Sequence, residues 1–312
     1  MQYEVVRTTG NSLEAHSFTP ALFDSWTNYI DATPRTVETY TKAIRQFARY
    51  ISDNGIDAPQ REDVIAYREA LKTSHKPTTV QAYITAVKLF FQWAEVTGRY
   101  PDIAKHIKGA KLDREHKKDY LTSRQAGKVL SAIDTTDLQG KRDYAIVALM
   151  TTTGLRTISV INANIEDLRT AGDSTALYYQ GKGHTEKAAC VKVAPQVEDA
   201  IRAYLTARGA FKSNEPLFAS IAHRNAGQRM TTRSISRISK DSLKAAGFNS
   251  DKLTAHSFRH TAGTLSLLNG SSLEETQQML GHRDINTTMI YNHAIQRAKN
   301  NSELRIASAI FG

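Results

Sequence analysis

The residues most capable of chemistry lie close together near the end of the chain. His256, Arg259 and His260 are spaced i, i+3 and i+4, so on a helix they share one face. His282 follows a glycine at the end of an apolar helical run, and Tyr291 lies nine residues further along. Imidazole, guanidinium and phenol side chains held on short helices predict a catalytic site.

Local signals in the same region predict the helices that would hold these groups. Gly270 and Gly281 each follow an apolar run at helical spacing, where a left-handed C-terminal cap is common. Ser272 and Glu275 have the spacing of a capping box that opens the helix between the two glycines. His282 is therefore expected to emerge directly from a helix cap.

Two further cations stand in special positions upstream. Arg156 follows Gly154 at an elbow between two apolar helical runs, which favours a buried anion site over a structural ion pair. Residues 175–193 change to a period of two and predict a β-hairpin. Lys182 stands between two glycines at its tip, where the ammonium group is expected to point outward. An ordinary charged turn is the alternative interpretation.

Composition points to a polyanionic partner. The 312 residues contain 41 lysines and arginines against 31 acidic residues, a formal net charge of +10. This balance favours nucleic acid over a membrane surface, although a protein that is merely basic has the same count. The single Cys190 excludes an internal disulfide and fits a reducing cytoplasm. With no signal-like N-terminal segment and no membrane-spanning run, a soluble intracellular protein is expected.

The length is typical of two domains, and the periodicity divides the chain accordingly. An N-terminal segment shows four amphipathic helical stripes, which predict a small bundle with an aromatic core. A basic stretch without an apolar period follows, and then a second domain that contains the hairpin. The predicted divisions are a tail (1–16), a DNA-binding four-helix domain (17–105), a basic linker (106–119), a catalytic domain (120–295) and a C-terminal tail (296–312).

A phosphate site is predicted at the start of the fourth helix of the bundle. Pro77 suits the first helical position. The backbone donors of Thr78 and Thr79 would then be free, and Lys76 stands just before them, so together they could hold a phosphate. A plain helix start explains the same residues.

Other basic residues are candidates for contacts with a nucleic-acid backbone. Lys108 and Lys111 lie in the linker, which either follows a phosphate backbone or is a solvated hinge. Arg229, Arg233 and Arg237 recur every four residues, a comb that either contacts phosphates or covers a solvated helix face. Because the chain has other basic features as well, we favour phosphate contacts for these three arginines.

Five motifs occur in a fixed order: Gly154-Leu155-Arg156, Gly181-Lys182-Gly183, His256-x-x-Arg259-His260, Leu280-Gly281-His282 and Tyr291. With these motifs the chain resembles the tyrosine recombinase (phage integrase) family, from about residue 18 to residue 294. The resemblance implies a mainly α fold with a small antiparallel β-sheet in the catalytic domain. It also implies a C-shaped clamp of two domains, an N-terminal helical bundle and a C-terminal α+β catalytic domain.

The chemistry of these groups suits cleavage of a phosphodiester without metal or ATP, so no cofactor is expected. Breaking a DNA strand while keeping its bond energy needs a covalent intermediate, for which Tyr291 supplies the nucleophile. A phenol with its ordinary pKa of about 10 must be activated by nearby cations or a base. Arg156 and Arg259 would grip the non-bridging oxygens as charge develops in the transition state.

The resemblance assigns the remaining roles and the product. It places His256 as proton acceptor or relay near the tyrosine, His282 as hydrogen-bond donor to the phosphate, and Lys182 as the acid that protonates the leaving 5′ oxygen. His260 has a supporting role. The product is a 3′-phosphotyrosine link and a free 5′-hydroxyl. Ser159 departs from the family, which usually has an acidic residue at this position; activity is expected to survive.

Other functions compete for the same residues. His256 and His260 have the spacing of a zinc helix, but Ser257 stands where a metalloprotease has glutamate, so no metal site is predicted. A DNA-binding accessory protein that has lost catalysis is a second alternative, and a type IB topoisomerase-like enzyme is a third. The full set of phosphate-facing groups favours a recombinase.

The resemblance also implies an assembly and a place of action. A homo-tetramer, or a hetero-tetramer with a related recombinase, would hold two double-stranded DNA recombination sites. It would act in integration, excision or resolution of a mobile element, plasmid or chromosome dimer. The C-terminal tail docks either on a neighbouring subunit or on its own domain. The short segment before Phe18 favours a two-domain, Xer-like or mobile-element recombinase, at work in the cytoplasm on the nucleoid.

Overall fold

The structure is a computed structural model that describes residues 20–111, 119–181 and 186–312. The chain divides into two compact units, Met1–Glu115 and His116–Gly312. The predicted N-terminal tail, most of the predicted linker and Lys182 at the hairpin tip lie outside the described residues.

Helices make up the described part of the N-terminal unit: α1 (Pro20–Tyr29), α2 (Pro34–Asp53), α3 (Arg61–Ser74) and α4 (Pro77–Val96). Proline opens α2 and α4, at a position where no intrahelical donor is lost. α4 packs against the other three helices. The core is aromatic, and Phe47 meets Tyr67 and Phe91 edge to face. The predicted helical bundle is confirmed.

The segment after α4 stays with this unit for longer than predicted. Ile107 is buried in the core of the bundle. From α3, Arg61 donates to the Lys105 carbonyl (2.5 Å) and Arg68 to the Lys108 carbonyl (2.8 Å). The first residues of the predicted linker therefore pack on the bundle, where burial of Ile107 and the hydrogen bond from Arg68 to the Lys108 carbonyl hold them.

The C-terminal unit is mainly helical around one apolar core. Its helices are α5 (Ser123–Ser131), α6 (Leu138–Thr153), α7 (Thr157–Asn162), α8 (Pro195–Arg208), α9 (Thr232–Ala245), α10 (Ala255–Leu268), α11 (Leu273–Leu280), α12 (Asn286–Lys299) and α13 (Ser302–Phe311). α6 is central, because it is buried on most sides and contacts α8, α9 and α10. No helix in the described part of the chain is both long and apolar enough to cross a membrane.

A small antiparallel sheet packs beside α6, formed by β1 (Leu168–Ala171), β2 (Ser174–Tyr179) and β3 (Ala189–Val193) in that order. β2 and β3 are the strands of the predicted hairpin, with Tyr179 opposite Ala189. β1 was not predicted, because four residues are too few to show a period of two. The predicted mainly α class with a small antiparallel sheet is confirmed.

Candidate active site

Helix α10 carries the predicted histidine–arginine face. Thr254 caps its start, and Ser257 completes the capping box. His256 and His260, one turn apart, meet edge to face with ring centroids 4.6 Å apart. The face runs from the exposed His256 at the start of the helix to the buried Arg259 and His260.

Arg259 is held by backbone carbonyls from two other helices. Its Nη1 donates to the Gly154 carbonyl (2.6 Å) at the end of α6, and its Nη2 donates to the Leu280 carbonyl (2.7 Å) at the end of α11. Carbonyls at a helix end lack partners within the helix, and left-handed caps at Gly154 (φ 65°) and Gly281 (φ 61°) end these two helices. The two glycine caps therefore end the helices and also leave free the carbonyls that orient the Arg259 guanidinium.

Arg156 adds a second positive charge beside Arg259, from the N-cap position of α7. Burial, and then the charge of Arg156, lower the pKa of Arg259 to about 10, so Arg259 stays charged at neutral pH. A pocket of about 540 Å³ opens here, lined by Leu155, Arg156, Thr157, Ile158, Ser236, Lys240, Thr254, Ala255, His256 and Arg259. Two guanidiniums and the N-terminus of α10 make it suitable for an anion such as a phosphate.

Tyr291, on α12, is buried beside the same charges, with 5% of its surface exposed. The His282 ring stacks parallel to the phenol ring (6.4 Å between centroids, 6° between planes), and the His260 ring lies 5.3 Å away. Burial raises the pKa of Tyr291, whereas Arg259 and Arg156 lower it. The phenol is therefore protonated in the free protein, next to charges that favour its anion.

His282 leaves the cap of α11, as its position after Gly281 predicts. Its Nδ1 lies 2.8 Å from the Thr288 hydroxyl oxygen. Burial, followed by the charges of Arg259 and Arg156, lowers the pKa of His282 to about 4. The imidazole is therefore neutral at physiological pH.

This low pKa of His282 predicts a dependence of stability on pH. Between the folded-state value of about 4 and the ordinary value of 6.5, the unfolded chain binds more protons. The free energy of unfolding should therefore fall as pH drops from 6.5 towards 4, by about 1–2 kcal/mol after allowance for partial solvent exposure. Denaturant titrations over this range measure the effect. A His282→Gln variant with the same pH slope as the wild type would contradict it.

Gly263, inside α10, allows the ring of Tyr291 to come close. A Cβ on Gly263 would lie 3.1 Å from Cε2 of Tyr291 and 3.0 Å from Cδ1 of Leu280. Alanine is otherwise preferred to glycine within a helix by about 1 kcal/mol. Gly263→Ala should leave the free energy of unfolding within about 1 kcal/mol of wild type but slow the expected strand cleavage about tenfold, because the Tyr291 phenol, the expected nucleophile, must shift. Single-turnover assays measure this cleavage rate. An unchanged rate would show that alanine at residue 263 does not displace the Tyr291 ring.

Tyr179, at the end of β2, is a second buried tyrosine near the arginine pair. Burial raises its pKa, whereas Arg259 and Arg156 lower it. Its hydroxyl lies 2.7 Å from the point where a Cβ on Gly281 would stand, so this position needs glycine for space as well as for its positive φ. The sequence did not identify Tyr179, because a buried aromatic residue on a strand is ordinarily part of the core.

Of the remaining predicted site residues, the structure describes Ser159 but not Lys182. Ser159 is buried in α7, where its backbone N–H donates to the Arg156 carbonyl (2.9 Å). Lys182 lies outside the described residues. Lys187, on the returning side of the hairpin, forms an ion pair with the buried carboxylate of Asp167. No sequence signal indicated this anchor of the hairpin.

The three arginines of the predicted comb do not share one environment. Arg233 and Arg237 line a pocket of about 600 Å³ at the start of α9, together with Arg224. Arg229 faces the protein, where it donates to the Ile161 carbonyl (2.5 Å) and to two other protein oxygens. The prediction that Arg229 contacts DNA is therefore corrected: its guanidinium holds the chain that follows α7.

The predicted phosphate site at the start of α4 needs a similar correction. Lys76 is the N-cap residue, and its carbonyl accepts a hydrogen bond from the Thr79 N–H (2.9 Å), so this donor is not free. Lys76 and Thr78 are exposed, as are Lys108 and Lys111. DNA contacts by these four residues stay predictions.

The arrangement as a whole is an anion site with a phenol beside it. Two guanidiniums and a helix N-terminus would hold a phosphodiester, and the phenol oxygen would attack its phosphorus. Among the residues that the structure describes, no three His, Cys, Asp or Glu side chains come together as metal ligands would.

Comparisons with known protein families match both units of the chain. The model of the phage integrase family matches residues 119–297. The model of the phage integrase N-terminal SAM-like domain matches residues 22–98. The first match contains Arg156, His256, Arg259, His282 and Tyr291.

Individual relatives match over most of the chain. Tyrosine recombinase XerD of Lacticaseibacillus casei is 29% identical over 284 residues, which are 87% of this chain and 93% of that protein. The XerH site-specific recombinase in its post-cleavage complex with a palindromic difH substrate has a TM-score of 0.73 at 19% identity, over 93% of this chain and 84% of its own. A lambda integrase tetramer bound to a Holliday junction has a TM-score of 0.69 at 17% identity, over 91% and 78%. At these identities the two solved structures show a shared fold.

Proposed function

This chain belongs to the phage integrase family and is a tyrosine site-specific recombinase acting on DNA, and we propose that Tyr291 cuts each strand by forming a 3′-phosphotyrosine link. The observation that carries the proposal is the burial of Tyr291 beside Arg259 and Arg156, whose charges favour the phenolate. A phenol with an ordinary pKa of about 10 is a weak nucleophile at neutral pH. The same two charges would hold the phosphodiester that the phenol attacks.

In the proposed reaction, the Tyr291 oxygen bonds to the scissile phosphorus while the bond to the 5′ oxygen breaks. The phenol proton passes to His256, and the leaving 5′ oxygen takes a proton from Lys182. Arg156 and Arg259 bind the non-bridging oxygens, whose charge increases in the transition state. A 5′-hydroxyl of the partner strand then attacks the phosphotyrosine, which restores a phosphodiester and releases the phenol.

Arg233 and Arg237 are proposed contacts to the DNA backbone. Replacing either with alanine should weaken binding to all sequences alike and reduce the slope of log affinity against log salt by about 1. Arg229→Ala is the matched control: it should keep the salt slope but lower the free energy of unfolding by about 1–3 kcal/mol, because three protein oxygens each lose a hydrogen bond from its guanidinium. Binding titrations at several salt concentrations measure these slopes. Unchanged slopes for the Arg233 and Arg237 variants would place these two arginines outside the interface.

The proposed assembly is a tetramer of this chain, alone or with a related recombinase, on two DNA duplexes. α13 has no buried residue, and its four large apolar side chains are 58% to 84% exposed. An apolar helix that is uncovered on its own subunit suits docking on a neighbouring one. The lambda integrase tetramer on a Holliday junction supports this arrangement. The reaction would take place in the cytoplasm, at the nucleoid, in integration, excision or resolution.

A nicked suicide substrate tests the proposed reaction. DNA selected from a randomised pool by the full-length protein defines the site, and a nick beside the cleaved phosphate lets a short fragment diffuse away. We expect a denaturant-resistant protein–DNA adduct and a released fragment with a free 5′-hydroxyl. Specific binding without an adduct would leave the accessory DNA-binding function. Relaxation of a supercoiled plasmid that lacks the site would favour the topoisomerase-like function.

A further inference from the structure

Thr288 is a fully buried polar residue at the start of α12, three residues before Tyr291. Its hydroxyl oxygen lies 2.8 Å from Nδ1 of His282, and within the described residues this is the hydrogen bond that the hydroxyl makes. We propose that Thr288 is a positioning residue: its hydroxyl donates to Nδ1 and thereby fixes His282 in the tautomer that carries its proton on Nε2. The inference rests on the proposed function, and it takes for His282 the role that the family resemblance implies, a hydrogen bond donated to the scissile phosphate.

The direction of this hydrogen bond follows from where the hydroxyl proton can go. A neutral imidazole carries one proton, on one of its two nitrogens. If that proton were on Nδ1, the ring would donate to the Thr288 oxygen, and the Thr288 O–H would need another acceptor. Among the described residues the Thr288 hydroxyl makes no other hydrogen bond, and Thr288 is 0% exposed. The cost of an unpaired buried donor favours the Nε2–H tautomer by on the order of tenfold or more.

The direction of this hydrogen bond determines what the other nitrogen of the His282 ring, Nε2, can do. With Nδ1 accepting, Nε2 is a donor, which is the role that a phosphate oxygen requires. The other tautomer would present a lone pair to the same oxygen. Stacking on Tyr291 and the hydrogen bond at Nδ1 also fix the direction in which the His282 ring points. Thr288 would therefore act on catalysis through His282, without touching DNA.

Two variants separate the hydroxyl from the shape of the side chain. Thr288→Val keeps the branched shape and removes the donor, whereas Thr288→Ser keeps the donor. We expect Thr288→Val to slow cleavage of the suicide substrate about tenfold at saturating DNA without changing DNA affinity, and Thr288→Ser to restore most of the rate. A wild-type rate for Thr288→Val, or equally slow serine and valine variants, would overturn the proposal.

A spectroscopic measurement reads the tautomer without depending on activity. ¹⁵N NMR of the free full-length protein, labelled at its ten histidines, distinguishes protonated from unprotonated ring nitrogens, and a His282→Gln variant assigns the signals. We expect a proton on Nε2 in the wild type and the serine variant, and a mixture of tautomers in the valine variant. A proton on Nδ1 in the wild type would overturn the inference. An absence of any adduct, even from wild-type protein, would instead refute the proposed function.

Discussion

Replacing Tyr291 with phenylalanine is expected to abolish the covalent protein–DNA adduct and to leave specific DNA binding intact. Phenylalanine keeps the ring that packs against His282 and His260. Only the oxygen proposed to bond to phosphorus is lost, and without a covalent intermediate the strand cannot be cut and later rejoined. Denaturing gels of the suicide substrate measure the adduct, and a binding titration on the intact site measures affinity.

Tyr179→Phe is the matched control for this experiment. Tyr179 is also buried near Arg259 and Arg156, so it experiences a similar electrostatic environment. Because it is not the proposed nucleophile, the variant should still form the adduct. The opposite pair of results, an adduct from the Tyr291 variant and none from the Tyr179 variant, would show that the nucleophile is Tyr179.

Replacing Arg259 with lysine is expected to slow strand cleavage by about 10²–10³-fold. The guanidinium donates to the carbonyls of Gly154 and Leu280 and still has donors for a phosphate. An ammonium is a single point with three donors and cannot bridge these carbonyls while also binding two phosphate oxygens. The free energy of unfolding should fall by about 1–3 kcal/mol, since one buried carbonyl loses its partner.

Arg142→Lys serves as the control for Arg259. Arg142 is also a buried arginine, 5% exposed, but it pairs with Asp143 (2.7 Å) and the Ala219 carbonyl. This substitution should lower stability without changing the rate constant of cleavage in the folded protein. Single-turnover rates with saturating DNA separate the two effects. Equal losses of rate in both variants would show that the Arg259 result reports stability and not catalysis.

Features set by neighbouring residues could be predicted from the sequence. Ser272 and Glu275 form the predicted capping box, and the left-handed glycine at residue 281 ends the helix it opens. The spacing of His256 and His260 places their rings in contact on α10. Such features follow from helical geometry over a few residues, so no knowledge of the tertiary fold was needed.

Features set by distant contacts could not be predicted in the same way. Arg229 continues the spacing of Arg233 and Arg237, yet its guanidinium is bound to oxygens more than sixty positions away in the chain. A four-residue spacing describes a helix face only where the helix exists, and α9 begins after Arg229 at Thr232. Ile107 was likewise assigned to the linker, although the bundle buries it.

Within the site, the sequence identifies reactive groups better than it identifies the residues that orient them. Reactive histidines, arginines and tyrosine stand out by type and spacing. Thr288 does not, because a threonine in the first turn of a helix has many ordinary roles, and its contact with His282 depends on how the chain turns between α11 and α12. The carbonyl of Leu280 that holds Arg259 is a backbone group, so no residue type reveals it.

The most direct test of the account is to identify the residue in the trapped adduct by mass spectrometry. Trypsin cleavage after Arg283 and Arg297 releases a peptide, residues 284–297, in which Tyr291 is the single tyrosine. After nuclease digestion of the bound DNA, this peptide should carry a 3′-phosphonucleotide on Tyr291. A modification on the tryptic peptide of residues 170–182, which contains Tyr179, or on any residue other than Tyr291, would contradict the central claim.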